Sequence, residues 1–121
     1  MAQSVLEYLR ELVGLTGPSG SEEDVVRVLA GLVRPLVDTV ELDAFGNLIA
    51  VRQAQHPAAR RCVLAAHMDE VGFRVRKIED SGFLRIEKVG GFDNRILLAQ
   101  RVWVRTTQGR LLEPGDEGVT G

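Results

Sequence analysis

The sequence has almost no cysteine: Cys62 stands alone in 121 residues. No internal disulfide can form, which suits a reducing compartment. A single thiol inside the apolar run "CVLAA" is expected to be a small buried core residue. Histidine is nearly as scarce, with only His56 and His67. Charge of one sign is not in excess either. Fifteen Lys and Arg against 17 Asp and Glu leave a net charge of -2, so no global positive field exists to hold a polyanion, and nucleic acid is not an expected partner. Long hydrophobic runs are missing as well. The N-terminal "MAQSVLEYLRELVG" interleaves charge with apolar residues, unlike a signal peptide or a membrane span, and the chain is expected to be cytoplasmic. No internal repeat or low-complexity segment occurs. What is present, 45% hydrophobic residues with ordinary glycine and proline, suits one globular chain with a modest core.

The first periodicity is helical. Val5, Leu6, Leu9, Leu12 and Val13 recur at steps of three and four, placing them on one face of a helix that ends near Gly14. The turn signal "GPSG" follows. Ser19 with Glu22, or Ser21 with Asp24, has the spacing of a capping box opening a second helix. The buried face of that helix is expected to be Val25, Val26, Leu29, Leu32, Val33 and Leu36, with Pro35 making the last turn irregular.

From Asp38 the period changes. "TVELDAFGNLIAVRQ" reads as a hairpin turning at Phe45, Gly46 and Asn47. "AQHPAARR" is a polar loop in which His56 is a solvated residue. "CVLAA" is short and continuously apolar, as expected of a central strand covered on both faces. "VGFRVRKIED" and "GFLRIEKV" alternate around a turn at Asp80, Ser81 and Gly82, and "QRVWVRTTQGRLL" adds another strand and turn. The closing "EPGDEGVTG" is rich in glycine and acid, and is expected to be loose.

The chemistry concentrates where "CVLAA" gives way to His67, Met68, Asp69 and Glu70. Ligand sites in open α/β sheets gather beyond the carboxyl ends of strands. In an extended segment His67 and Asp69 point to the same side. A carboxylate so placed can accept one ring N–H, fix the tautomer and aim the other nitrogen at a metal. A histidine at a strand end can equally be hydrogen-bonded structure, and a metal site needs at least three protein ligands. Glu70 faces the other way and reads as well as a solvated or salt-bridged surface carboxylate.

The segments "GPSGSEE", "DAFGNLIA", "LAAHMDEVGFRV" and "GGFDNRILLAQRVWV" resemble, in this order and spacing, the N-terminal third of the glutamyl aminopeptidase family. That family comprises dinuclear metal-dependent exopeptidases, including the tetrahedral, self-compartmentalised aminopeptidases. The resemblance runs from about Leu12 to Leu112. It implies an α/β fold: the start of a phosphorylase/hydrolase-like metallo-exopeptidase domain over residues 1–69, part of an inserted, mostly antiparallel β (dimerisation) domain over 70–112, and a loose tail over 113–121.

Carried over by position, the resemblance makes His67 a ligand to one of two divalent ions, zinc or cobalt, and Asp69 its orienting carboxylate. In "GGFDNR", Gly90 and Gly91 allow a tight backbone, and Asp93 with Arg95 is expected to form a local ion pair. The implied activity is removal of N-terminal residues from peptides by an enzyme that forms a homo-oligomer through its β-domain. The family's bridging aspartate, glutamate general base, remaining carboxylate ligands and distal histidine have no counterparts here, so this chain alone is expected to lack competence. Two alternatives stand beside this reading. One is a non-catalytic dimerisation or peptide-binding module built on strands from Val71 to Thr107. The other is an endoglucanase, as relatives are sometimes labelled, which requires two opposed carboxylates at glycosidase spacing.

Overall fold

The computed structural model describes residues 4–113. Backbone contacts divide the chain between Gly72 and Phe73 into two units.

The N-terminal unit opens with α1, Val5–Val13. Ser4 caps it reciprocally: its hydroxyl accepts the Glu7 N–H at 3.3 Å, and the Glu7 carboxylate accepts the Ser4 N–H at 2.5 Å. Those two bonds hold the Glu7 carboxyl below its ordinary value of 4.5. The helix ends where expected, with the Gly14 N–H returned to Arg10. Its apolar residues Val5, Leu6, Leu9 and Val13 are nonetheless exposed.

Helix α2, Glu23–Val33, carries the buried apolar side chains of the described residues, Val25 and Val26. Leu29, Leu32 and Val33 are half-buried and Leu36 is exposed, so the expected face is covered only at its start. Neither expected capping box forms: Glu22 is the N-cap and makes no side-chain cap bond. For the Ser19–Glu22 box the physical reason lies outside the helix, because the Ser19 hydroxyl is engaged elsewhere, as described below. Glu23 and Asp24 instead place negative charge at the positive end of the helix dipole, and Asp24 pairs with Arg27. Pro35 tightens the last turn into a 3-10 segment, Arg34–Leu36.

Strands β1, Thr39–Leu42, and β2, Leu48–Val51, pair antiparallel with Thr39 opposite Val51 and Leu42 opposite Leu48. Asp43 organises the turn. Its carboxylate accepts the N–H groups of Phe45 at 2.8 Å and Asn47 at 2.9 Å and the Asn47 side-chain amide at 2.7 Å, while Gly46 takes φ +87°. The Asn47 bonds hold the Asp43 carboxyl below its ordinary value of 3.8. A lowered folded-state pKa contributes stability above the unfolded value that is lost as pH falls through the folded one. Amide protection of the β1–β2 hairpin is therefore expected to decline on acidification below about pH 4, and this decline should vanish in Asp43→Asn. Exchange rates at the Asn47 amide measure it.

The run 62–66 corrects the expectation of a central strand. It forms no ladder, Cys62 is exposed rather than buried, and Val63 and Leu64 are 85% and 95% exposed. A strand is defined by its pairing, and no described segment pairs with this one. His56 sits in its polar loop as expected, with Nδ1 accepting the Ala58 N–H at 3.2 Å.

Strand β3, Gly72–Ile78, all but its first residue in the C-terminal unit, pairs with β4, Leu84–Val89, through a short turn closed by Glu79 and Phe83. Arg85 meets Glu79 at 2.5 Å, and Arg76 meets Glu87 at 3.5 Å. Phe73 packs edge-on against Phe92, with centroids 5.4 Å apart, and the Lys88 ammonium lies 5.3 Å from the Phe92 ring. Asp93 does form the expected pair with Arg95, and also caps the short 3-10 helix Asn94–Leu97 by accepting the Arg95 N–H at 2.9 Å. The Arg95 guanidinium holds the Asp93 carboxyl low and is itself held high. Gly90 takes φ +90°, as a tight backbone requires.

Ala99 has φ +60°, a left-handed conformation that costs a residue with a Cβ about 1 kcal/mol. Ala99→Gly is expected to raise stability by about 0.5–1 kcal/mol, read from the urea midpoint. Strands β5, Val104–Arg105, and β6, Leu111–Leu112, pair antiparallel around a turn held by Thr106. Among the described residues the strands thus form three two-stranded sheets. No helix among the described residues is long and apolar enough to cross a membrane. The tail expected to be loose lies, beyond Glu113, outside the described residues.

Candidate functional site

The turn 17–19 and the segment 67–70 lie side by side in the N-terminal unit, although about fifty positions separate them in the chain. Pro18 and Glu70 form a parallel bridge. The Glu70 N–H donates to the Gly17 carbonyl at 2.9 Å, and the Ser19 N–H donates to the Glu70 carbonyl at 3.3 Å. The Glu70 carboxylate completes the clip by accepting the Gly17 N–H at 2.9 Å. Glu70 is exposed, as expected of a surface carboxylate, and one of its oxygens also satisfies the backbone of a buried glycine.

The clip needs small residues. A Cβ at Gly17 would stand 2.6 Å from the Val25 Cγ2, and one at Gly72 would stand 2.9 Å from the Pro18 Cβ. Glycine at 17 lets the turn lie directly against the buried start of α2. Glycine at 72 lets the chain leave the clip beneath the proline ring.

Side chains alternate along residues 67–70 as in an extended strand. Met68 lines a cavity of about 220 Å³ with Leu12, Leu15, Val25 and Leu29. His67 points the other way, its side chain 85% exposed beside an Asp69 that is 38% exposed. His67 Nδ1 lies 3.0 Å from the Asp69 carboxylate Oδ1 and 3.0 Å from the Asp69 carbonyl oxygen. Both neighbours only accept, so Nδ1 is the nitrogen that donates, and in the neutral ring that leaves the lone pair on Nε2.

The other oxygen of Asp69, Oδ2, accepts a short hydrogen bond from the Ser19 hydroxyl. Ser19 first, then His67, holds the Asp69 carboxyl below its ordinary value of 3.8. Three side chains thus run in series, Ser19 to Asp69 to His67, ending at an outward-facing Nε2. Ser19 is the member that sequence reasoning missed, because the local spacing offered it a helix cap; its partner fifty positions away leaves no local signal.

When its ring is neutral, His67 suits a divalent ion, because the carboxylate on one nitrogen aims the other. The donor set goes no further. Among the described residues no group of three or more His, Cys, Asp or Glu is placed to hold a metal, and a zinc centre takes at least three protein ligands. His67 fits one ligand position, and the described residues do not gather the further ligands that a centre needs.

A model of M42 glutamyl aminopeptidases matches residues 46–115. Among solved structures, an aminopeptidase of the archaeon Desulfurococcus kamchatkensis is 42% identical with a TM-score of 0.81, covering 87% of this chain and 29% of that one. A Thermotoga maritima protein called an endoglucanase is 41% identical with a TM-score of 0.75, covering 81% and 31%. PhTET1-12s, a dodecamer in its asymmetric unit, is 35% identical with a TM-score of 0.78, covering 92% and 32%. The chain spans 28–29% of the length of two curated aminopeptidase relatives that it matches at 36% identity.

Proposed function

Because the chain belongs to the M42 glutamyl aminopeptidase family, we propose that it is the N-terminal portion of a metal-dependent aminopeptidase that removes N-terminal residues from peptides. The observation that carries this reading is the imidazole of His67, held through Nδ1 by Asp69 with Nε2 turned to solvent. In this proposal His67 is the one metal ligand that the chain contributes, and Asp69 orients it. A divalent ion, zinc or cobalt in this proposal, would be held by His67 together with further ligands and would supply Lewis-acid chemistry there. The role of this chain's own residues is narrower: Asp69 accepts the Nδ1 proton, and His67 presents Nε2.

Residues 1–69 are assigned to the start of a phosphorylase/hydrolase-like catalytic domain and 70–112 to part of an inserted β-domain. Homo-oligomerisation through that β-domain is proposed on the likeness to the dodecameric relative. A cytoplasmic location is proposed because the lone cysteine is free and exposed. The endoglucanase reading has a solved relative of that name behind it. The site offers it little, since Asp69 is bonded to Ser19 and His67 while Glu70 accepts the Gly17 N–H. Asp69 and Glu70, so engaged, do not make an opposed pair that could act on a glycosidic bond.

Two assays test the proposal. The chain alone, supplied with zinc or cobalt, is expected to give no turnover of aminoacyl-anilides, because one imidazole is not a catalytic centre. A chimera in which residues 12–112 replace the matching segment of the Desulfurococcus kamchatkensis aminopeptidase is expected to hydrolyse them, and to lose that activity with His67→Ala. A folded chimera without activity, or turnover insensitive to His67, would sink the proposal.

A further inference from the structure

We propose that Ser19 is a positioning residue for His67, acting through Asp69, so that the turn 17–19 sets the direction in which the imidazole presents Nε2. The inference deepens the reading of His67 as a ligand and rests on it for the metal, but the geometry it describes exists in the metal-free chain.

The carboxylate of Asp69 is more than a third exposed, and an exposed aspartate is ordinarily free to rotate about χ1 and χ2. Two partners on its two oxygens remove that freedom. The Ser19 hydroxyl donates to Oδ2, and the His67 Nδ1–H donates to Oδ1 at 3.0 Å. With Oδ2 anchored, Oδ1 stays toward the ring.

The anchor is itself fixed. Ser19 is tied by its own N–H to the Glu70 carbonyl, and Gly17 is tied to Glu70 by both its N–H and its carbonyl. Gly17 packs against Val25, which is 7% exposed. The path from the buried start of α2 to the exposed imidazole therefore runs through Gly17, Ser19 and Asp69. Without Ser19, the carboxylate can rotate off the ring, the Asp69 carbonyl at 3.0 Å remains as the one fixed acceptor, and the imidazole gains rotational and tautomeric freedom.

The test is the ring nitrogen spectrum of His67 in the metal-free protein at alkaline pH, where imidazole is neutral. The full chain is compared with Ser19→Ala and Ser19→Thr. The full chain is expected to show a single Nδ1–H tautomer. Ser19→Ala is expected to shift both ring nitrogens toward the averaged values of two exchanging tautomers, and Ser19→Thr, which keeps the hydroxyl, to restore them. Zinc titration of the same samples is expected to give affinity lowered by about threefold to tenfold in Ser19→Ala, at or below the lower end of the effect of removing an orienting partner.

An unchanged ring spectrum in Ser19→Ala, or no rescue by Ser19→Thr, would overturn the inference. If the tautomer responds as expected while zinc ignores His67 altogether, the ligand reading fails and the positioning role stands. Should Ser19→Ala lose the amide signals of α2, the comparison passes to Ser19→Cys, close in size with a weak donor. A partial shift there supports the inference, and no shift overturns it.

Discussion

Gly17→Ala is expected to destabilise the N-terminal unit by about 2 kcal/mol or more, within or above the usual cost of overpacking. The added methyl would stand 2.6 Å from the Val25 Cγ2 and 3.7 Å from its Cβ. Valine has essentially one χ1 well in a helix, so Val25 cannot swing aside cheaply. Moving the turn instead would strain the two Gly17 hydrogen bonds to Glu70 and the Ser19 bonds to Glu70 and Asp69. The unit has little reserve against this: among the described residues only Val25 and Val26 are buried apolar side chains. A lowered urea midpoint, with loss of exchange protection at the start of α2, is the expected result. An unchanged midpoint would mean that the turn does not pack on α2. Gly31→Ala is the matched control, because a Cβ there meets nothing within 4 Å. In the interior of α2 it should stabilise by about 0.5–1 kcal/mol.

His67→Ala is expected to remove whatever zinc affinity the chain has, a loss of at least about tenfold. The wild-type chain should itself bind weakly, because an exposed imidazole with water completing the coordination lacks the three protein ligands of a stable centre. Asp69→Ala should weaken binding by less than loss of the ligand itself, since the ring remains but its tautomer and direction are no longer held. Calorimetric titration of zinc into the three proteins measures the order. Tight binding of two ions to the wild type, or binding that persists in His67→Ala, would place the ligands elsewhere, with His56 and Cys62 the remaining imidazole and thiol in the sequence.

Features that close over a few residues were legible in the sequence. The end of α1 at Gly14, the irregular turn at Pro35, the turn around Gly46 between β1 and β2, the turn between β3 and β4, and the Asp93–Arg95 pair all depend on bonds within about six positions. The alternation that sets His67 and Asp69 on one side was legible for the same reason, since a period of two is a property of extended backbone alone.

What the sequence by itself determined about this protein is therefore its local elements, the pairing of His67 with Asp69, and its family, the last through four ordered segments. Tertiary structure alone decided the rest. Ser19 reads locally as a helix cap, and it became the anchor of Asp69 only because folding brings together groups fifty positions apart. Glu70 reads as a surface carboxylate and is exposed, but that it also satisfies the Gly17 N–H only the fold decided. The run 62–66 reads as a central strand, yet it forms none, because apolar composition supplies the wish for burial while a strand exists only where another backbone offers its hydrogen bonds.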